Sequence, residues 1–204
     1  MPEPVEPGRE LCALASQAPV EPRRIASWLD GLRPAERVAA VRALGRAEQR
    51  RLYAAVAGQL PLRLCDLVPA ATGELVAVRH FGRNTLPALT LFEKRFCRPP
   101  GADPASPRAL WGYNHQSAAR LTGPGYFVAR EDPDRAEVWI DYTRLPDGRA
   151  EGWPEIRPNE RGIARFVYGF MVDTLRRVSE HVTIGSAARR GRDLGSWFAL
   201  CREA

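Results

Sequence analysis

The chain has 204 residues, of which 45% are hydrophobic, and a formal net charge of +6. This length and composition allow one substantial core within a single globular unit. No run of eighteen apolar residues occurs, which argues against a membrane-spanning helix, and the acidic, proline-rich N-terminus has no feature of a signal peptide. We therefore expect a cytoplasmic globular protein.

The cysteines argue against a zinc protein, and the basic residues argue against a nucleic-acid-binding protein. Cys12, Cys65, Cys97 and Cys201 form no Cys-x-x-Cys pair and have no nearby histidine, which is typical of reduced thiols rather than zinc ligands. Lys94 is the only lysine, so 29 of the 30 basic residues are arginine, and alanine, proline and glycine are abundant with it, as in proteins from GC-rich genes. Because the charge is also spread along the chain, we do not expect a nucleic-acid partner.

The first third of the chain is predicted to be helical. After a disordered tail at residues 1–8, short helices are expected over residues 9–17 and 21–29, and two more begin at Pro34 and before Leu52. Apolar side chains recur every three or four residues in the last two, and proline is favoured in a first helical turn. These segments define a helical N-terminal region over residues 9–66.

Residues 67–204 are predicted to form an antiparallel-sheet α+β domain. After Leu75 the apolar residues recur at every second position instead of every third or fourth. Turns rich in Gly, Pro and Asp separate these alternating segments. The predicted strands cover residues 75–81, 88–97, 109–116, 125–130, 136–143, 182–186 and 196–202.

A long helix is predicted between the fifth and sixth of these strands, over residues 163–178. Its apolar residues fall at helical spacing and define one wide buried face; they are Ile163, Phe166, Val167, Phe170, Met171, Leu175 and Val178. The expected fold class is therefore α+β. We expect a curved antiparallel sheet or partial β-barrel, packed against one long helix in the C-terminal half and preceded by the small helical region.

No motif in the chain specifies a reaction. Phosphate-binding loops, nucleophile elbows, zinc-protease helices and dinucleotide-binding turns are all absent. We therefore expect no cofactor and no metal.

The charged triplet Glu93-Lys94-Arg95 lies within an otherwise apolar predicted strand. Alternation puts Phe92, Lys94 and Phe96 on one face and Glu93 and Arg95 on the other. A charge that turns inward needs a partner or a ligand, although a long side chain can also reach out to solvent. In a partial barrel, Arg95 or Lys94 would be the counter-ion of an acidic head group.

Aromatic residues are concentrated between residues 109 and 143, with a few polar side chains among them. Strands of this kind line a ligand pocket or an ordinary core. Our leading hypothesis is a non-enzymatic binding protein for an apolar or amphipathic small molecule, such as a lipid or a carboxylate. The candidate ligand-binding residues are Arg95, Trp111, Tyr113, Asn114, His115, Phe127, Trp139, Asp141 and Tyr142.

Two other hypotheses remain open at this point. A small enzyme could use His115 with Asp141, or Glu93, for proton transfer, which requires these groups to converge in a cleft. Alternatively, a protein- or nucleic-acid-interaction module could use the loop at residues 189–192 to bind its partner. Its arginines are Arg189, Arg190 and Arg192. The sequence leaves the oligomeric state open.

Overall fold

The computed structural model describes residues 6–116, 123–132 and 134–203. Its first part contains short helices, most of which begin with proline, a residue without an N–H that suits the first turn. They are α1 (Pro7–Ser16), α2 (Pro22–Asp30), α3 (Pro34–Ala43), α4 (Arg46–Ala55) and the single turn α5 (Leu64–Leu67). Of the expected disordered tail, residues 1–5 lie outside the described residues, and Pro7 already belongs to α1.

The second part is a closed, eight-stranded antiparallel barrel. Each strand pairs with its neighbours in the sequence, and the first pairs with the last. The expectation of an open sheet or partial barrel is therefore wrong. The strands are β1 (Val78–Asn84), β2 (Leu91–Cys97), β3 (Leu110–His115), β4 (Tyr126–Asp132), β5 (Glu137–Asp141), β6 (Met171–Arg177), β7 (Val182–Arg189) and β8 (Arg192–Arg202).

The predicted long helix over residues 163–178 is also wrong. Only the turn α6 (Ala164–Val167) is helical; it ends at Val167, and Phe170, just before the next strand, has a φ of 59° in the left-handed region. The following residues form β6, which pairs with β5 on one side and β7 on the other. Without this strand the barrel could not close, so pairing along the whole strand overrides the helical spacing of the apolar residues. The fold is a closed barrel with short helices rather than a sheet packed on one long helix.

One end of the barrel is closed by α5 and its flanking residues. Leu64 and Leu67 are fully buried there among the apolar side chains of the barrel interior. His80 of β1 is buried beside them, with its Nε2 atom 3.0 Å from the carbonyl oxygen of Leu67. Among the described residues, no comparable apolar plug fills the other end, which we call the open end of the barrel.

Two further clusters cover the outside of the barrel. The helices α1 to α4 bury their apolar faces against β7 and β8, where Ile184 and Ala199 are fully buried. Elsewhere, Trp153 of the long loop after β5 packs on Tyr113 and Tyr126. Among the described residues, no helix combines the length and the apolar character that crossing a membrane requires.

Candidate ligand cavity and its buried ion pair

A cavity of about 320 Å³ opens at the end of the barrel opposite α5. Period-two alternation turns every second side chain of each strand into the barrel, and at this end the described residues leave space between those side chains. The walls are mostly apolar and aromatic. They include Phe92, Tyr142, Tyr168, Met171, Ala187, Trp197 and Phe198.

The floor of the cavity carries a charged residue, Lys94, from the middle of β2. Its ammonium nitrogen Nζ donates hydrogen bonds to Oδ1 of Asn114 at 3.0 Å and to the hydroxyl of Tyr142. It also donates to Oδ2 of Asp173 on β6 at 3.4 Å, which forms an ion pair. Both charged side chains are only 3% exposed. A Lys–Asp pair therefore lies inside the barrel, joined to two neutral polar groups.

Aromatic rings surround the ammonium group of Lys94. Its Nζ atom lies 4.8 Å from the ring centroid of Phe198 and 5.1 Å from that of Phe127. Ring faces attract a cation at these distances, and more strongly when water is excluded. The rings therefore help to compensate the loss of hydration of the buried cation.

Burial works against both charges of the pair. It lowers the pKa of Lys94, and the charge of Asp173 opposes that change. It raises the pKa of Asp173, while Lys94 and the Tyr142 hydroxyl oppose the rise. Burial, together with the charge of Asp173, also raises the pKa of Tyr142 well above its usual value. Each charge of the pair is thus the main stabilising partner of the other.

The remaining oxygen of the pair, Oδ1 of Asp173, has no hydrogen-bond partner among the described residues although it is buried. Asp173 lines the cavity. Buried carboxylate oxygens are normally hydrogen-bonded, so this unpaired acceptor, on a residue of the cavity wall, marks a group to which a ligand can donate a hydrogen bond.

The turn α6 lies over the mouth of the cavity. Tyr168 stacks on Tyr142 with their ring centroids 5.5 Å apart, which continues the aromatic interior toward the opening. Arg189 of β7 donates hydrogen bonds from Nη2 to the carbonyl oxygens of Phe166 at 2.7 Å and Val167 at 3.3 Å. The side chain of Phe166 is left 77% exposed. The mouth therefore has an apolar rim fixed to the barrel by an arginine.

The structure divides the nine candidate ligand-binding residues between the two faces of the barrel wall. Asn114 and Tyr142 line the cavity, and Phe127 points inward beneath it. Tyr113 and Trp111 instead pack in or against the cluster outside the barrel. Because neighbouring residues of a strand face opposite ways, an aromatic stretch cannot lie on one face as a whole. The others that do not line the cavity are Arg95, His115, Trp139 and Asp141.

The candidate acid–base residues lie apart from the cavity. Glu93 forms ion pairs with Arg79 at 3.0 Å and Arg95 at 2.9 Å, and these arginines hold its pKa below the usual value although burial opposes them. His115 lies opposite Glu93 in the register of β2 and β3, and burial and the charge of Arg95 lower its pKa. Asp141 is on β5, two strands from His115, which leaves it outside this group.

Asp141 has neighbours of its own. Its Oδ1 atom accepts hydrogen bonds from the backbone N–H of Thr143 at 2.9 Å and from the hydroxyl of the same residue at 2.6 Å. Arg130 and Arg144 each approach its Oδ2 atom to 3.4 Å. This arrangement holds the turn after β5.

The arginines of the loop at residues 189–192 have three different surroundings. Arg189 lines the cavity mouth, as described above. The guanidinium of Arg190 lies 4.3 Å from the ring centroid of Phe170, and Arg192 is exposed at the start of β8. The structure therefore places one of the three at the cavity.

Sequence reasoning included Lys94 only as an alternative to Arg95, and it missed Asp173. The signal for Lys94 was the alternation itself, which puts it on the same face as Phe92 and Phe96. Asp173 carries the same signal, because it alternates with Met171 and Leu175, but the segment was assigned to a helix. The pattern that locates this site is thus an ionisable residue with apolar residues two positions before it and two positions after it.

Among the described residues, no group of three or more His, Cys, Asp or Glu side chains is arranged to hold a metal ion. The chain matches no protein-family model. No curated protein and no solved structure is significantly similar to it.

Proposed function

We propose that this protein is a non-enzymatic binding protein that holds an apolar or amphipathic small molecule inside its barrel. A closed antiparallel barrel is compatible with small-molecule binding, since barrels of eight strands can hold one small ligand. The observation that carries the proposal is the cavity at the open end, with its apolar and aromatic walls and one polar group of residues on its floor.

The size of the cavity supports a small ligand. Its volume of about 320 Å³ lies at the lower end of the range of roughly 300–1,000 Å³ that is typical of ligand pockets. The apolar walls supply the driving force for binding by removing apolar ligand surface from water. A polar floor beneath apolar walls, as in most small-molecule sites, then fixes the orientation of the ligand.

The proposal is tested by blocking the cavity. Ala187 lines it on β7, whereas its neighbour Ala188 does not and is half-buried. We expect Ala187→Trp to fill the cavity and Ala188→Trp to leave it open, so the two variants are a matched pair. Binding is measured by native mass spectrometry of the purified protein and by the fluorescence of the neutral probe N-phenylnaphthylamine.

The expected result is a bound small molecule, or saturable binding of the probe, in the unaltered protein and in Ala188→Trp. Ala187→Trp should weaken probe binding at least about tenfold, since a filled cavity excludes the probe. Absence of both a bound mass and probe binding in the unaltered protein would refute the proposal. Equal probe binding by both tryptophan variants would refute it as well.

A further inference from the structure

We propose that the ligand of this cavity carries a neutral hydrogen-bond donor, an alcohol or phenol hydroxyl, at its inner end, and that this hydroxyl donates to Oδ1 of Asp173. The inference rests on the proposed function, because it names the ligand class of the same cavity. It favours an alcohol over the carboxylate that the sequence suggested.

The ammonium group of Lys94 has no N–H group left to donate a hydrogen bond to a ligand. Its three N–H groups are matched by three acceptors, which are Oδ1 of Asn114, the hydroxyl of Tyr142 and Oδ2 of Asp173. An anionic head group would have to displace one of these partners. Beside the ammonium group it would also face the carboxylate of Asp173, 3.4 Å from Nζ, which repels it.

The neutral polar groups of the floor have no free donor either. Nδ2 of Asn114 donates to the hydroxyl of Tyr142 at 3.0 Å and to the carbonyl oxygen of Gly125 at 3.4 Å. The hydroxyl of Tyr142 in turn has one proton, for which Oδ1 of Asn114 at 3.4 Å and the carboxylate of Asp173 are the acceptors. The floor therefore uses all of these donors internally.

What the floor offers is an acceptor. Oδ1 of Asp173 is buried and has no hydrogen-bond partner among the described residues. A buried acceptor without a partner is costly, and a ligand that donates to it removes this cost. A hydrogen bond from a neutral hydroxyl to a charged carboxylate is also stronger than one between neutral groups.

The charge balance of the floor selects a neutral donor over an ammonium group. Lys94 and Asp173 compensate each other at 3.4 Å, so the pair has no net charge with which to hold an ion. A second ammonium beside Asp173 would be repelled by Lys94, and its loss of hydration in the aromatic cavity would remain uncompensated. A hydroxyl donates the required hydrogen bond without this cost.

Three ligands of equal chain length test the inference: octanol, octanoate and octylamine, titrated calorimetrically into the unaltered protein at pH 7.5. We expect octanol to bind most tightly, by about tenfold, the factor that one hydrogen bond to a charged group supplies. The double variant Lys94→Met/Asp173→Leu replaces the ion pair by apolar side chains. It should bind octanol about tenfold more weakly than the unaltered protein and keep its binding of N-phenylnaphthylamine.

Octanoate or octylamine binding as tightly as octanol would overturn the inference, and so would an octanol affinity that the double variant leaves unchanged. If the probe binds while none of the three ligands does, the inference fails and the proposed function stands. If the probe does not bind either, both fail. The comparison of the three ligands needs only the unaltered protein, so octanoate or octylamine binding as tightly as octanol overturns the inference even where the double variant does not fold.

Discussion

Replacing Lys94 by methionine tests whether the buried ion pair has the energetics that its geometry implies. The substitution keeps a long apolar side chain on the inward face of β2 but removes Lys94, the cation that pairs with Asp173. The carboxylate then stays 3% exposed without its partner. We expect Lys94→Met to destabilise the fold strongly, and Asp173→Leu to do the same by leaving the ammonium group unpaired.

The magnitude follows from the distance between the charges. At 3.4 Å and an effective dielectric constant of about 20, Coulomb's law gives an attraction of about 5 kcal/mol. Breaking a buried pair by removing one partner typically costs about 3–5 kcal/mol, whereas replacing both partners by apolar residues is often neutral or stabilising. We therefore expect a loss of about 3–5 kcal/mol in each single variant and a much smaller change in Lys94→Met/Asp173→Leu.

The pH dependence separates this effect from a simple loss of packing. Burial already raises the folded-state pKa of Asp173 above its ordinary value of 3.8, and Lys94 is the main group that opposes the rise. Removing Lys94 raises this pKa further. A carboxyl with a raised folded-state pKa favours folding at low pH and loses that contribution as the pH rises through the folded-state pKa. The deficit of Lys94→Met should therefore be smaller at pH 5 than at pH 8.

The assay is urea unfolding of the unaltered protein, the two single variants and the double variant at both pH values. Together they form a double-mutant cycle that isolates the interaction between the two charges. Losses in the single variants that simply add up in the double variant would refute the reasoning. A deficit of Lys94→Met that is the same at pH 5 and pH 8 would show that lost packing, not an unpaired carboxylate, causes it.

Two further predictions concern the rest of the barrel. Burial lowers the pKa of His80 from 6.5 to about 3. As the pH is lowered below 6.5, only the unfolded chain takes up a proton, so the free energy of unfolding decreases until the pH reaches the folded-state pKa. The resulting decrease in the free energy of unfolding is about 2.5 kcal/mol between pH 7.5 and 4.5. Urea unfolding at both pH values should show a decrease smaller by that amount in His80→Gln than in the unaltered protein. Equal decreases would contradict the burial argument. A Cβ atom at Gly112 would lie 2.4 Å from the ring of Phe127, so thermal unfolding should show that Gly112→Ala costs about 1–3 kcal/mol. Gly31→Ala, with no contact closer than 3.5 Å, is the matched control, and equal effects of the two would contradict this account of the packing.

Strand positions were well predicted wherever alternation was clear. The predicted strands at residues 88–97 and 109–116 correspond to β2 and β3, whose register places Lys94 opposite Asn114. Alternation also put Lys94 on the same face as Phe92 and Phe96, as the structure has it. The period-two pattern was sufficient here because it follows directly from the geometry of a strand.

The segment over residues 163–178 was mispredicted for a physical reason. Its apolar residues satisfy a helical spacing over several turns, but the residues from Met171 to Leu175 also satisfy a period of two. Local spacing cannot choose between the two, because the choice depends on hydrogen bonds to β5 and β7, which are distant in the sequence. With this strand unrecognised, Asp173 could not be placed in the site.

The sequence by itself determined the local features of this protein: the positions of the N-terminal helices, most strands, and the face on which each side chain of β2 lies. Only the tertiary structure decided that the sheet closes, because closure requires β1 to pair with β8 across more than a hundred residues. It also decided which face is the interior. Closure therefore brings together Lys94, Asn114 and Asp173 from three strands and Tyr142 from the end of β5, and this shared interior is what turns separate residues into a candidate site.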